Sequence, residues 1–134
     1  MRILLDTHIL LWAISGDERL PEKARKMIVD EENEVYFSIV SPWEVEIKRL
    51  LHPDQMTLSA EELVAYCEDA GYYRLPIKEN HIYYLKRLQR AEDAPAHKDP
   101  FDRIMICQAI TESMMFITHD HLLDGYNEPM IYTV

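Results

Sequence analysis

The chain has 134 residues, 48% apolar and 28% charged, with three Gly and seven Pro, the composition of one globular domain that buries roughly two-thirds of its unfolded surface. No apolar run reaches the length of a membrane span and no cationic leader precedes the first apolar segment, which excludes a membrane protein and predicts a cytoplasmic one. Against 24 acidic residues there are only 14 basic ones, a net of −10 that argues against gripping nucleic acid by a basic surface, unless divalent ions reverse the sign in an acidic cleft or a basic partner is the ligand.

Arg2-Ile3-Leu4-Leu5 reads as a short buried strand, and Thr7 to Ile14 as an apolar helix closed by Ser15-Gly16. Pro21 opens a second helix with Leu20, Ala24, Met27 and Ile28 on one face. Val35 to Ile39, β-branched and aromatic, is a strand. Trp43, Ile47, Leu50 and Leu51 then follow helical spacing and predict the apolar side of the next helix. Ser59 and Glu62 form a capping-box pattern ahead of Leu63, Val64, Cys67 and Ala70. Tyr73 to Ile77 is a short strand that Pro76 places at an edge or a strand end. Ile82, Leu85 and Leu88 mark a helix, residues 91–98 a loop, and Pro100 the start of a long apolar helix. A strand around Met115 to Thr118, a turn of helix near Leu122 and a strand around Met130 to Thr133 complete the chain. Strands alternating with helices predict an α/β fold, a mainly parallel sheet covered on both faces. The two cysteines, Cys67 and Cys107, fall within predicted helices and are expected as buried free thiols.

Chemistry concentrates in acids at the ends of these elements. Asp6 and Asp120 stand just past strands, and in an open α/β sheet that is the edge where ligands bind. Glu44 and Asp102 stand in predicted first turns of helices, which face the same edge, and Asp99 is the expected N-cap ahead of Pro100. Each acid has a plainer explanation. Ser41-x-x-Glu44 has the form of a capping box, Asp99-x-x-Asp102 imitates one, and Asp6 and Asp120 could be solvated loop acids. Those explanations do not predict all four at one edge. Convergent carboxylates repel unless a cation sits among them, and Mg²⁺ suits such an oxygen-rich site.

His8, His97, His119 and His121 lie near these acids, yet zinc-type spacings are absent, so they are expected at the surface or behind the ligands. Lys48, four residues after Glu44, predicts a helical ion pair. The pairs Tyr72-Tyr73 and Tyr83-Tyr84 should split between opposite faces.

Four segments, in order, resemble the motifs of PIN-domain ribonucleases, most of all the VapC-type toxins of toxin–antitoxin pairs. They are Leu4-Leu5-Asp6-Thr7-His8, Ser38 through Ser41-Pro42-Trp43-Glu44 with Ile47-Lys48, His97-Lys98-Asp99-Pro100-Phe101-Asp102-Arg103, and Ile117-Thr118-x-Asp120. The resemblance runs over essentially the whole chain, residues 1–134 as a single PIN domain, and the Asp-Pro-Phe-Asp-Arg segment is its most specific part. It implies a three-layer α/β/α fold with Asp6, Glu44, Asp102 and Asp120 as the catalytic acids. Asp6 and Asp102 would hold Mg²⁺ or Mn²⁺, with Glu44, Asp120 and Asp99 engaged directly or through water, and Thr7 and Thr118 in support. It also implies RNA as substrate, cut by a metal-activated water, together with a homodimer and a cognate antitoxin as partner.

Other classes fit less well. An aspartyl-phosphate phosphatase needs a second Asp two positions after the first, where this chain has His8, and a receiver domain needs an acid ending a central strand between Asp6 and Asp120. The alternative that remains is a non-catalytic module of the same fold that binds a partner protein or RNA.

Overall fold

The computed structural model describes residues 1–134. Five strands, β1 (Arg2–Leu5), β2 (Glu34–Ser38), β3 (Tyr73–Leu75), β4 (Met115–Thr118) and β5 (Ile131–Thr133), form one sheet in the order β3-β2-β1-β4-β5. Every pairing is parallel, with Leu5 opposite both Phe37 and Ile117. The order reverses direction between β1 and β4, and the crevice beyond the strand ends at such a switch point is where this class of sheet binds ligands.

Six α-helices cover the sheet: α1 (Thr7–Ser15), α2 (Glu22–Val29), α3 (Val40–Leu51), α4 (Ala60–Asp69), α5 (Glu79–Tyr84) and α6 (Pro100–Thr111). Alternation along β1 builds two cores at once. Ile3 and Leu5 join Ile9, Leu10, Ala24, Leu63 and Cys67 on one face, while Leu4 joins Met105, Ile106, Ala109 and Phe116 on the other. The result is the expected three-layer α/β/α architecture. Cys67 and Cys107 are buried free thiols, whose burial raises their pKa values to about 12 and about 11.

Helix ends follow the expected chemistry at several points. Gly16 adopts a left-handed φ of 64° and donates its N–H to the Trp12 carbonyl, closing α1. Ser59 and Glu62 cap α4 reciprocally. Asp99 caps α6, its Oδ1 accepting from the N–H groups of Phe101 (2.9 Å) and Asp102 (3.3 Å), with Pro100 at the first helical position.

Three expectations are corrected. Trp43, Leu50 and Leu51 are not the buried face of α3 but exposed; the helix buries Val40, Ser41, Pro42 and Val45 instead. The reason lies in its position: Val40 enters one core and Val45 the other, so α3 straddles the sheet edge rather than lying flat on a face. Nor is Ser41 an N-cap. The helix begins at Val40 with no side-chain cap, leaving the Ser41 hydroxyl free for the site below. The helix expected from Ile82 to Leu88 is broken into α5 and a 3₁₀ turn over Leu85–Arg87; Ile82 is exposed and His81 fills the buried place. Tyr73 and Tyr83 are exposed while Tyr72 and Tyr84 are half-buried, so both pairs split as expected.

Candidate metal centre at the carboxyl edge of the sheet

Asp6 is the first residue past β1 and is nearly buried, 6% exposed, so it is no solvated loop acid. Its Oδ1 accepts from the Thr7 N–H at 2.7 Å, and its Oδ2 accepts from the Thr118 hydroxyl at 2.7 Å. Thr118 ends β4, the strand beside β1, so parallel pairing delivers this contact. The Asp6 N–H in turn donates to the Ile117 carbonyl at 2.9 Å, tying the first site residue to β4.

Thr7 links Asp6 to α3. Its hydroxyl donates to Glu44 Oε1 at 2.8 Å and lies 2.9 Å from Ser41 Oγ. With its single proton committed to Glu44, Thr7 accepts from Ser41. Glu44 is thus held by a threonine on another helix, and its capping explanation fails with that of Ser41. Lys48 acts on Glu44 as a nearby positive charge that lowers its pKa, an influence smaller than the bond from Thr7.

Asp102, in the first turn of α6, meets a buried histidine. His97 Nε2 lies 3.1 Å from Asp102 Oδ2, and His97 Nδ1 lies 2.5 Å from the hydroxyl of buried Tyr126. Arg103 donates to the same hydroxyl at 3.1 Å. Asp120 follows β4. Its N–H donates to the Thr118 hydroxyl at 3.1 Å, and its Oδ1 accepts from the Leu122 N–H at 3.0 Å, capping a 3₁₀ turn over His121–Tyr126. Ligand atoms of His97, Asp102 and Asp120 all fall within 4.8 Å of one another.

The acids also act on one another electrostatically. Burial pushes the Asp102 carboxyl up to about 8, and the charges of Asp6, Asp99, Glu44 and Asp120 add to the rise. Burial likewise raises Glu44, with Asp6 and Asp99 contributing. Asp6 is raised by its own burial, against the opposing hydrogen bonds from Thr118 and Thr7. Burial lowers the His97 imidazole, which favours its neutral form.

Thr7 and Thr118 thus bond three of the acids singled out from the sequence, Asp6, Glu44 and Asp120, and Asp120 in turn falls in the group with Asp102 and His97. Sequence reasoning missed His97 as the buried partner of Asp102, although its place five residues earlier was a signal. It missed Ser41 by assigning it to a cap, and Tyr126, for which nothing in the sequence spoke. His8, His119 and His121 are exposed, as expected, and His119 shares no ligand group with Asp120.

Acids gathered at the carboxyl edge of a five-stranded parallel sheet, beside its switch point, mark an α/β domain of a recognisable class. The model of the PIN domain matches residues 3–128, and the chain belongs to the PIN domain family, whose members are typically metal-binding nucleases. Its fold is also similar to a solved structure, VapBC2 from Rickettsia felis bound to a DNA fragment from their promoter, with a TM-score of 0.67 and 15% identity. That match covers 100% of this chain and 98% of the other. No curated protein matches the sequence. No helix is long and apolar enough to cross a membrane.

Proposed function

We propose that this protein is a divalent-metal-dependent endoribonuclease acting as the toxin of a toxin–antitoxin pair. The observation that carries the reading is the gathering of acids at one edge of the sheet: Asp6 and Glu44 joined through Thr7, Asp6 and Asp120 through Thr118, and Asp120 grouped with Asp102. A protein gains nothing for stability by gathering acids, whereas a hard cation with oxygen ligands turns the repulsion into binding.

Asp6 and Asp102 would hold Mg²⁺ or Mn²⁺, with Glu44, Asp120 and Asp99 engaged directly or through water. The bonds Asp6 already accepts leave lone pairs on both oxygens. When bound, such a cation supplies a water of lowered pKa and offsets charge that builds on a scissile phosphate. The chain's own part is orientation. Thr118 fixes Asp6, Thr7 fixes Glu44, and the capped start of α6 fixes Asp102 relative to Asp99.

The partners follow from the same charge. The resemblance to VapC-type toxins makes a cognate antitoxin and a homodimer the expected assembly, and the similarity to VapBC2 supports it. A basic side chain of that antitoxin, inserted among the acids, would mimic the cation, so Mg²⁺ should weaken its binding at matched ionic strength.

The deciding experiment gives purified, partner-free protein a structured RNA with and without Mg²⁺ or Mn²⁺. Cuts that need the metal, vanish with chelator and leave 5′-phosphate and 3′-hydroxyl ends are expected. Cyclic phosphate ends would overturn the metal-activated mechanism. No cleavage with any divalent ion would instead favour the non-catalytic binding module, which the net charge of −10 suits.

A further inference from the structure

The bond directions around Tyr126 can be worked out from the donors available. Arg103 has only N–H groups to offer, so the Tyr126 oxygen accepts from it, at 3.1 Å. The hydroxyl proton of Tyr126 is then free to point at His97 Nδ1, 2.5 Å away, which must accept. A neutral imidazole that accepts at Nδ1 carries its proton on Nε2, and Nε2 faces Asp102 Oδ2 at 3.1 Å. The chain of bonds runs one way: Arg103 to Tyr126, Tyr126 to His97, His97 to Asp102.

The segment that carries His97 is itself pinned. Arg90 donates through Nε to the Pro95 carbonyl at 2.6 Å and through Nη2 to the Leu122 carbonyl at 3.0 Å. Its guanidinium lies 4.7 Å from the centre of the Tyr126 ring. The Ala91 N–H donates to the Gly125 carbonyl at 2.7 Å. A Cβ added at Gly125 would stand 2.5 Å from Arg90 Nη2, so the absence of a side chain there lets the clamp close. One arginine thus joins the loop before α6, which carries His97, to the turn after β4, which carries Asp120 and Tyr126.

We propose that His97 is a positioning residue for the metal centre, donating from Nε2 to Asp102 in a tautomer that Tyr126 imposes, and is not itself a ligand. A lone pair on Nε2 aimed at a cation would require Tyr126 to accept from both Arg103 and His97, leaving its own buried proton without an acceptor. The donated bond aims the Asp102 carboxylate and leaves its remaining lone pairs for a cation, the role that partners of ligating carboxylates commonly fill. The inference rests on the metal-dependent reading above only for its affinity arm, since the tautomer is a property of the metal-free protein.

The test has two arms, neither of which needs RNA. Long-range ¹H–¹⁵N correlation spectra of the metal-free protein should show His97 protonated at Nε2 and bare at Nδ1, and Tyr126→Phe should change that pattern. In calorimetric titration with Mn²⁺, His97→Ala should bind about 10- to 100-fold more weakly, while His97→Gln, which keeps an N–H at the ε position, should stay within about threefold of the native protein. A native His97 protonated at Nδ1 would overturn the proposal. So would unchanged affinity in His97→Ala, equal losses in both variants, or ¹⁴N hyperfine coupling from His97 to bound Mn²⁺. Absence of Mn²⁺ binding by the native protein would defeat the metal-dependent reading, and the tautomer pattern would then decide the proposal alone.

Discussion

Helix α6 carries a histidine–carboxylate pair at each end, and the two pairs have opposite characters. At its far end His81, fully buried, meets Glu112 Oε1 at 3.3 Å while its Nδ1 accepts from the Lys78 N–H at 2.9 Å. Lys78 Nζ adds a positive charge 3.5 Å from the same oxygen, and Arg2 bonds the Glu112 carbonyl. Burial works to raise the Glu112 carboxyl, but His81 and Lys78 outweigh it and hold it below its ordinary value. At the near end burial, joined by the charges of Asp6, Asp99, Glu44 and Asp120, pushes the Asp102 carboxyl up to about 8, and burial of its partner His97 favours the uncharged imidazole. Surface exposure does not separate the pairs, for the two side chains are 20% and 16% exposed. What differs is the depth of the site and the sign of the surrounding charge. One end of α6 is an ion pair closed by positive charge; the other is a carboxyl surrounded by acids.

Substitution at the two ends should separate them most sharply. Asp102→Asn, and equally Asp6→Asn, is expected to lower RNA cleavage by at least about a hundredfold, the several kcal/mol that metal catalysis supplies. Both variants should stay folded, and Asp102→Asn should melt no lower than the native protein without metal, since Asn imitates the protonated carboxyl. Full activity in either purified variant would break the assignment.

Cation binding should stabilise only one end. At about a hundred times its Kd, Mg²⁺ or Mn²⁺ should add about 2.7 kcal/mol to the unfolding free energy. The gain should shrink in Asp102→Asn and persist in Glu112→Gln. Equal thermal shifts in all three proteins would indicate diffuse binding to an acidic surface.

Cutting the closed pair should cost stability and not chemistry. Glu112→Ala removes the acceptor of a fully buried imidazole nitrogen, and an unsatisfied buried group costs about 1–3 kcal/mol in urea unfolding. Cleavage per folded molecule should be unchanged. A loss of activity equal to that in Asp102→Asn would erase the functional distinction between the two ends.

The pH dependence of the metal-free protein separates the two ends by sign. Asp102 has an ordinary value of 3.8 and a folded value of about 8, so between these limits the folded state holds a proton that the unfolded state has released. Its contribution is therefore full below pH 3.8 and is lost as pH rises towards 8, with a slope of at most about −1.4 kcal/mol per pH unit. Glu112, lowered from 4.5, contributes in the other sense, present above that value and lost as pH falls through its folded value. Saturating Mg²⁺ or Asp102→Asn should flatten the first slope, and Glu112→Gln the second. A first slope that survives both treatments would place its source elsewhere.

Much of this was legible in the order of residues. The alternation of Ile3, Leu4 and Leu5, the αL glycine at 16, the Ser59–Glu62 box and Asp99-Pro100 all act within a few positions, and local chemistry determines them. Asp6, Asp102 and Asp120 were legible in place too, because strand ends and helix starts in a parallel sheet share one edge, whereas Glu44, expected in a first turn, lies a turn further along α3 and reaches the others through Thr7. Tertiary structure alone decided three things. It turned α3 so that Val40 and Val45 enter different cores and Trp43, Leu50 and Leu51 stay outside, since a helix at a sheet edge is buried by what flanks it and not by its own apolar stripe. It moved Ser41 from a cap to the hydroxyl of Thr7 on a different helix. It made one of two histidines on the path to α6 a partner of Glu112 and the other a partner of Asp102, because a side chain's charge environment is set by residues that meet only when the chain has folded.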